Sequence, residues 1–251
     1  MKPLPAQLEN NPIIEANFEI RFTGNVEPLA DILPGLLYPH LKNEFPKIEP
    51  LPTIQVAREM TKLAATLDLK FQPSHRLVGT GYTIMLGEKI FTLSCERPYQ
   101  GWARFQRKIQ ALLKVLEQTE SIKAVERFSL KYINVLPSLT EPELDMLKFK
   151  AELGPYNLTN HHCLIRTQFY QDDFLNIIHV IPQAPVSISR TQEKLSGLLI
   201  DVDTIYDKGF TNFWEEVFPL LEKAHAIEKS IFFSLLKDET ITQLKPIWST
   251  T

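Results

Sequence analysis

Two pairs of matched segments follow one another in the same order along this chain. Gly101-Trp102-x-x-Phe105-x-x-x-Ile109-x-x-Leu112-Leu113 recurs 108 positions on as Gly209-Phe210-x-x-Phe213-x-x-x-Val217-x-x-Leu220-Leu221. Upstream, Val26-Glu27-Pro28-Leu29-Ala30-Asp31-Ile32-Leu33 recurs 114 positions on as Thr140-Glu141-Pro142-Glu143-Leu144-Asp145-Met146-Leu147. At that second offset Ile14, Ala16 and Phe18 fall on Phe128, Leu130 and Tyr132. Offsets differing by only six residues predict a duplicated unit with one loop changed. A period near 110 is too long for a solenoid, whose units run about 20 to 50 residues. The expected organisation is a polar lead-in over 1–12 and two related halves, 13–123 and 124–251, in one pseudo-symmetric globule.

Each half reads as β-α-β-β-β-α. Ile14, Ala16, Phe18, Ile20 and Phe22 alternate with Glu15, Asn17, Glu19 and Arg21, the period of a strand with one buried face. Leu29, Ile32, Leu33, Leu36 and Leu37 predict a helix that Pro34 and Pro39 should kink or shorten. A strand is expected over 67–71, then a hairpin over 82–93 turning at Gly87-Glu88. Trp102, Phe105, Ile109, Leu112, Leu113 and Leu116 form the apolar stripe of a helix starting near Gln100. The second half predicts a strand near 125–135 and a short helix with Thr140 as N-cap. Further strands are expected at 163–170, 174–181 and 198–205, then a long helix near 211–237 bent at Pro219. The expected class is α+β, with antiparallel sheet packed against helices.

Composition narrows the function more than it names it. With 44% hydrophobic and 23% charged residues the chain has the make-up of a globular protein. A net charge of −3 argues against broad non-specific nucleic-acid binding while leaving room for a local basic patch. No apolar run approaches the ~18 residues needed to span a bilayer, and the N-terminus lacks a signal-peptide core, so a cytoplasmic location is expected. Two cysteines, Cys95 and Cys163, make no disulfide framework.

Three strings resemble a sporadically distributed prokaryotic protein family of unknown function. They are Asn11-Pro12-Ile13-Ile14-Glu15-Ala16-Asn17-Phe18-Glu19-Ile20-Arg21-Phe22, the basic-aromatic Arg127-Phe128-Ser129-Leu130-Lys131-Tyr132-Ile133-Asn134, and Leu199-Ile200-Asp201-Val202-Asp203. They span most of the chain in the family's order. The chain departs from that pattern at Gly87-Glu88, where members tend to carry Asp-Gly. The resemblance implies a free-standing protein of patchy distribution, of the sort found near mobile or antiviral defence genes, such as a CRISPR-associated module. It supplies no catalytic residues.

Several constellations invite chemistry. Asp201 and Asp203 share a strand face and could converge on Mg²⁺ or Mn²⁺, with Asp207 as a third ligand; equally, both could face water or pair with Lys or Arg. His161, His162 and Cys163 are soft ligands, but zinc needs at least three protein donors and the local sequence reads as well as a polar turn. There is no Gly-x-Ser-x-Gly elbow, phosphate loop or dinucleotide fingerprint. Between the matched helices Arg107, Lys108 and Lys114 stand where the second copy has Glu215, Glu216 and Glu222. Such a reversal fits drift on solvated faces, two helices facing each other, or, with Arg104, a docking face. Phe232 and Phe233 fit either core burial or a partner interface.

The leading expectation is a non-catalytic adaptor or accessory protein that needs no cofactor and binds a protein partner through Arg104, Arg107, Lys108, Lys114, Phe232 and Phe233. A metal-dependent phosphoesterase or nuclease using Asp201 and Asp203 is the first alternative. An RNA-binding accessory subunit acting through the basic helix 104–114 is the second.

Overall fold

Alternation of apolar and polar residues from Ile13 onward buries one face of a strand, and a longer strand from Ile122 pairs with it, Phe128, Leu130 and Tyr132 lying opposite Ile20, Phe18 and Ala16. In the computed structural model, which describes residues 3–51, 71–138, 140–188 and 191–248, these two form the middle of one large sheet. The first half runs β1 (Gln7–Leu8), β2 (Ile13–Gly24), α1 (Leu29–Leu41), β3 (Lys47–Pro50), β4 (Pro73–Val78), β5 (Tyr82–Gly87), β6 (Ile90–Glu96) and α2 (Trp102–Gln118). The second runs β7 (Ile122–Pro137), a 3-10 turn over Glu143–Met146, β8 (Glu152–Leu153), β9 (Tyr156–Asn157), β10 (Ile165–Gln171), β11 (Phe174–Ile188), β12 (Glu193–Tyr206), α3 (Phe213–Leu235), α4 (Asp238–Gln243) and β13 (Pro246–Ile247).

Nine strands join in the order β10-β11-β12-β7-β2-β6-β5-β4-β3, every pair antiparallel. On either side of the β7–β2 pair three strands follow in reverse chain order, β6-β5-β4 beside β2 and β12-β11-β10 beside β7, and β3 adds one more to the first side. The protein is thus α+β, a large antiparallel sheet packed with helices. Phe18 lies opposite Leu130 and Ile20 opposite Phe128. Their side chains are fully buried with Leu113 and Leu116 of α2 and Val217 and Leu221 of α3. A full side chain of this size contributes about 1.5–3 kcal/mol by burial, so this central layer holds the two halves together.

Helix α1 runs through both Pro34 and Pro39. The second half's short helix is a single 3-10 turn, because the chain beyond it is drawn to the end of α3: Lys148 N–H donates to Leu235 O at 2.7 Å and Lys237 N–H to Met146 O at 3.0 Å. Thr140 does not cap that turn; its hydroxyl donates to Pro142 O. The lead-in is not independent, since β1 pairs with β13. Of the strand expected over 67–71, residues 67–70 lie outside the described residues.

The two matched helices start differently. Helix α3 begins at Phe213, because Glu216 Oε1 accepts from Thr211 N–H at 3.0 Å and Asn212 N–H at 2.6 Å and holds residues 211 and 212 outside the helix. Lys108 stands at the matched position, cannot accept, and pairs with Glu44 instead. Helix α2 therefore starts directly after Gly101, whose φ of 93° only glycine adopts freely, and no side chain caps it.

Candidate functional site

The uncapped start of α2 opens into a cavity of about 700 Å³ between that helix, the middle of α3 and residues 5–13 of the N-terminal segment. This volume lies within the usual range for small-molecule sites, about 300–1,000 Å³. The N-terminal segment is strapped across it. Ala6 N–H donates to Ile247 O at 2.8 Å, Glu9 N–H to Lys245 O at 3.1 Å, and Lys245 Nζ lies 3.0 Å from Glu9 Oε1. Phe232 and Phe233, in edge-to-face contact at 5.3 Å, form an apolar wall.

Polar groups converge on the opposite side. Tyr99, between β6 and α2, and Tyr132, on β7, place their hydroxyls 3.0 Å apart. Tyr132 Oη is in turn 3.5 Å from Nδ1 of His225 on α3, and the His225 ring stacks on Trp102 with centroids 4.1 Å apart. Burial raises both phenols above their ordinary values, so each stays a donor. Burial, with Lys229 assisting, lowers His225 to about 4, so the ring is neutral near pH 7. One of its nitrogens is then an acceptor, and Nδ1 is the one facing a hydroxyl. Either hydroxyl can donate across the Tyr99–Tyr132 pair, and the His225 tautomer decides which of Tyr132 and His225 donates to the other.

Glu228, one turn beyond His225, is buried and raised to about 8 by burial, against an opposing pull from Lys229. Its carboxyl lines the cavity and forms no hydrogen bond or ion pair with the described residues. Burial lowers Lys229 as well. Near neutral pH the cavity therefore presents a carboxylic acid, a neutral imidazole, two phenols and one ammonium. Titratable groups displaced by burial and gathered in one cavity make it the candidate functional site.

The residues singled out in the sequence are placed as follows. Phe232 and Phe233 are both buried and line this cavity. Arg104, Arg107 and Lys114 are exposed on α2, whereas Lys108 is engaged with Glu44 and lies over the Tyr82 ring. Helices α2 and α3 do adjoin, but not through the basic residues: Glu222 accepts from Trp102 Nε1 at 3.0 Å and from Gln106.

Asp201 and Asp203 share the other face of the sheet, as their spacing requires. Asp201 pairs with Lys131 at 2.8 Å and lies 3.4 Å from His179 Nδ1. Asp203, raised to about 6 by burial, borders a smaller pocket of about 350 Å³ together with Glu19, Arg21, Arg127 and Lys131. Glu19 takes both arginines there, Arg127 at 3.0 Å and Arg21 at 3.2 Å. His161 packs against Tyr156 and Cys163 faces Leu158 O, while Cys95 is buried on β6. Among the described residues no group of three or more His, Cys, Asp and Glu side chains is placed to hold a metal ion, and no helix is long and apolar enough to cross a membrane.

No protein-family model matches this chain, and no curated protein matches it. Of the cavity's residues, Phe232 and Phe233 are singled out by their sequence, whereas its titratable ones are not singled out for chemistry. Tyr99, Tyr132, His225 and Glu228 come from three distant segments and make no linear motif. One signal does exist: His225 and Glu228 interrupt the apolar face of α3 marked by Leu221, Ala224, Ile227 and Ile231, where ionisable side chains need a reason to be.

Proposed function

We propose that this chain is a binding protein whose site is the cavity between α2 and α3, and that its ligand is a small amphipathic molecule. The observation that carries this reading is the convergence of five displaced titratable groups, Tyr99, Tyr132, His225, Glu228 and Lys229, on a cavity with a phenylalanine wall. A hydrolase working through a covalent intermediate is less well supported, since among the described residues no serine, cysteine or threonine borders the cavity. The test is a screen of uncharged aromatic and aliphatic fragments by amide chemical shift. Ligands are expected to move Tyr99, Trp102, Tyr132 and His225 saturably, and the double substitution Gln100→Trp, Ala103→Trp at the exposed rim should block them. Shifts scattered over the surface, or unaffected by the blocking pair, would refute the reading.

A protein-docking role for α2 rests on a separate observation. Arg107 and Lys114 are exposed and form no ion pair with the described residues. Reversing both to Glu should leave stability within about 0.5 kcal/mol and lower association with an acidic partner along with its salt sensitivity.

The two halves are proposed to be copies of one unit. The matched segments and the sheet order, which repeats outward from the β7–β2 pair, support this. Superposing 13–118 on 127–236 should bring Phe105 onto Phe213 and Ile109 onto Val217; helices arriving on opposite sides of their strands would refute it.

A further inference from the structure

A ligand's charge is decided by what already faces the place its head group must occupy. The first turn of α2 points Trp102 and Ala103 into the cavity with no side-chain cap, so its N–H groups present the positive end of a 17-residue helix. Glu228, buried and without a hydrogen-bond partner among the described residues, borders the same space from α3. The other titratable groups around it are His225 and Lys229 on α3, Tyr99, Tyr132 on β7, Cys95 behind the phenols, and Glu9 on the strap, which Lys245 occupies. Of the cavity-lining side chains Lys229 is the one cation, and Glu222, outside the lining, is engaged by Trp102 Nε1 and Gln106. A cationic head group would meet the helix N-terminus and Lys229 together. A phosphate dianion would bring one negative charge more than the site can offset.

We propose that the cavity binds a monocarboxylate with an apolar body, its head group at the N-terminus of α2 beside Glu228 and its body against Phe232 and Phe233. This rests on the cavity being the functional site and adds the chemical class. Glu228 in its acid form donates a hydrogen bond to the ligand carboxylate, so that one proton is shared between two carboxyl groups. The α2 N–H groups and Lys229 balance the remaining negative charge. The apolar body replaces water along the two phenylalanines.

The experiment is calorimetric titration of the full chain with three probes that share one body: 4-phenylbutanoate, 4-phenylbutanol and 4-phenylbutylamine. Near neutral pH the carboxylate should bind best, the alcohol about tenfold or more weaker, and the amine weakest, as expected where one charge-assisted hydrogen bond is at stake. Raising the pH from about 6.5 to about 9 ionises Glu228 and should weaken the carboxylate about tenfold, with little effect on the alcohol. Glu228→Gln, which keeps a donor and cannot ionise, should bind the carboxylate and lose that pH dependence. Lys229→Met, at a half-exposed position, should weaken the carboxylate selectively and guards against misfolding of the first variant. Equal binding of carboxylate and alcohol, or preference for the amine, overturns the carboxylate assignment and leaves the cavity reading intact. No binding of any of the three to folded protein overturns both.

Discussion

Replacing Glu228 by Gln should make the protein more stable at alkaline pH. The unfolded chain gives up this proton near the ordinary carboxyl value of 4.5, while the folded protein keeps it to about 8. Below 4.5 both states hold the proton and the residue contributes no pH dependence. Between the two values the folded state holds a proton that the unfolded state has released, so stability falls as pH rises, and above 8 the loss is complete. The full interval corresponds to about 4–5 kcal/mol. His225 works in the opposite direction, since its value is lowered from 6.5 to about 4, and stability gained through it rises with pH across that range. Asp203 adds a loss with rising pH that is finished at about 6. Above 6.5 His225 and Asp203 are both spent and Glu228 stands apart from them. From there to about pH 8 the wild type should lose roughly 2 kcal/mol, or about 4–8 °C of melting temperature for a chain of this length. Thermal unfolding of both proteins at closely spaced pH values tests this, the difference curve cancelling all groups common to them. A variant whose stability falls in parallel with the wild type across that window would show that Glu228 is not an acid held neutral by burial.

Glu216→Ala should release the two N–H groups before α3 and lower stability by about 0.5–2 kcal/mol in denaturant unfolding, the range for a lost helix cap. Thr204→Val should cost about 1–3 kcal/mol by the same measurement, because Thr204 Oγ1 donates at 2.9 Å to Asn176 Oδ1 and both side chains are fully buried. Titration with Mg²⁺ or Mn²⁺ should produce no saturable thermal shift traceable to Asp201 and Asp203. Binding to the folded state alone at about 100 times Kd would add about 2.7 kcal/mol, and a shift of that size abolished by Asp201→Asn would restore the metal-site reading.

What the sequence could reveal of this fold was whatever depends on neighbours within a few residues. The period-two run from Ile14 to Phe22 and the stripe from Trp102 to Leu116 both appear as read, since one strand face or helix side is fixed by local geometry. Asp201 and Asp203 share a face for the same reason. That Lys131 meets Asp201 depends on β7–β12 register, which no local pattern encodes. The start of α2 failed to match that of α3 for a reason visible only in part: an acid at 216 and a base at 108 could be seen, but not which N–H groups the acid would reach. The cavity is hardest of all. Its five displaced titratable residues are contributed by a loop, a central strand and a helix, and of these only the pair His225 and Glu228 leaves a mark, as polar residues on an apolar stripe.

The charge reversal between the matched helices has a structural consequence larger than a surface ion pair. With an acid at 216, the chain before α3 is held extended, and Phe210 turns inward to pack on Tyr206 and Phe213 at 5.3 and 5.0 Å and on Phe128 at 6.3 Å. The space beside that helix start is filled with aromatic rings. With a base at 108, the matched residue Trp102 is already helical, and its indole stacks on His225 and donates to Glu222. Trp102 and Ala103 of that uncapped first turn border the cavity. Filling such a volume contributes packing energy, and leaving it open forgoes that energy. On the binding proposal, the opening at this helix start, beside a buried acid and a tyrosine–tyrosine–histidine chain, is the space the ligand fills. The same contrast predicts which half of the molecule tolerates change: aromatic substitutions around Phe210 should unfold the protein, while those at the rim of the cavity should spare the fold and alter binding.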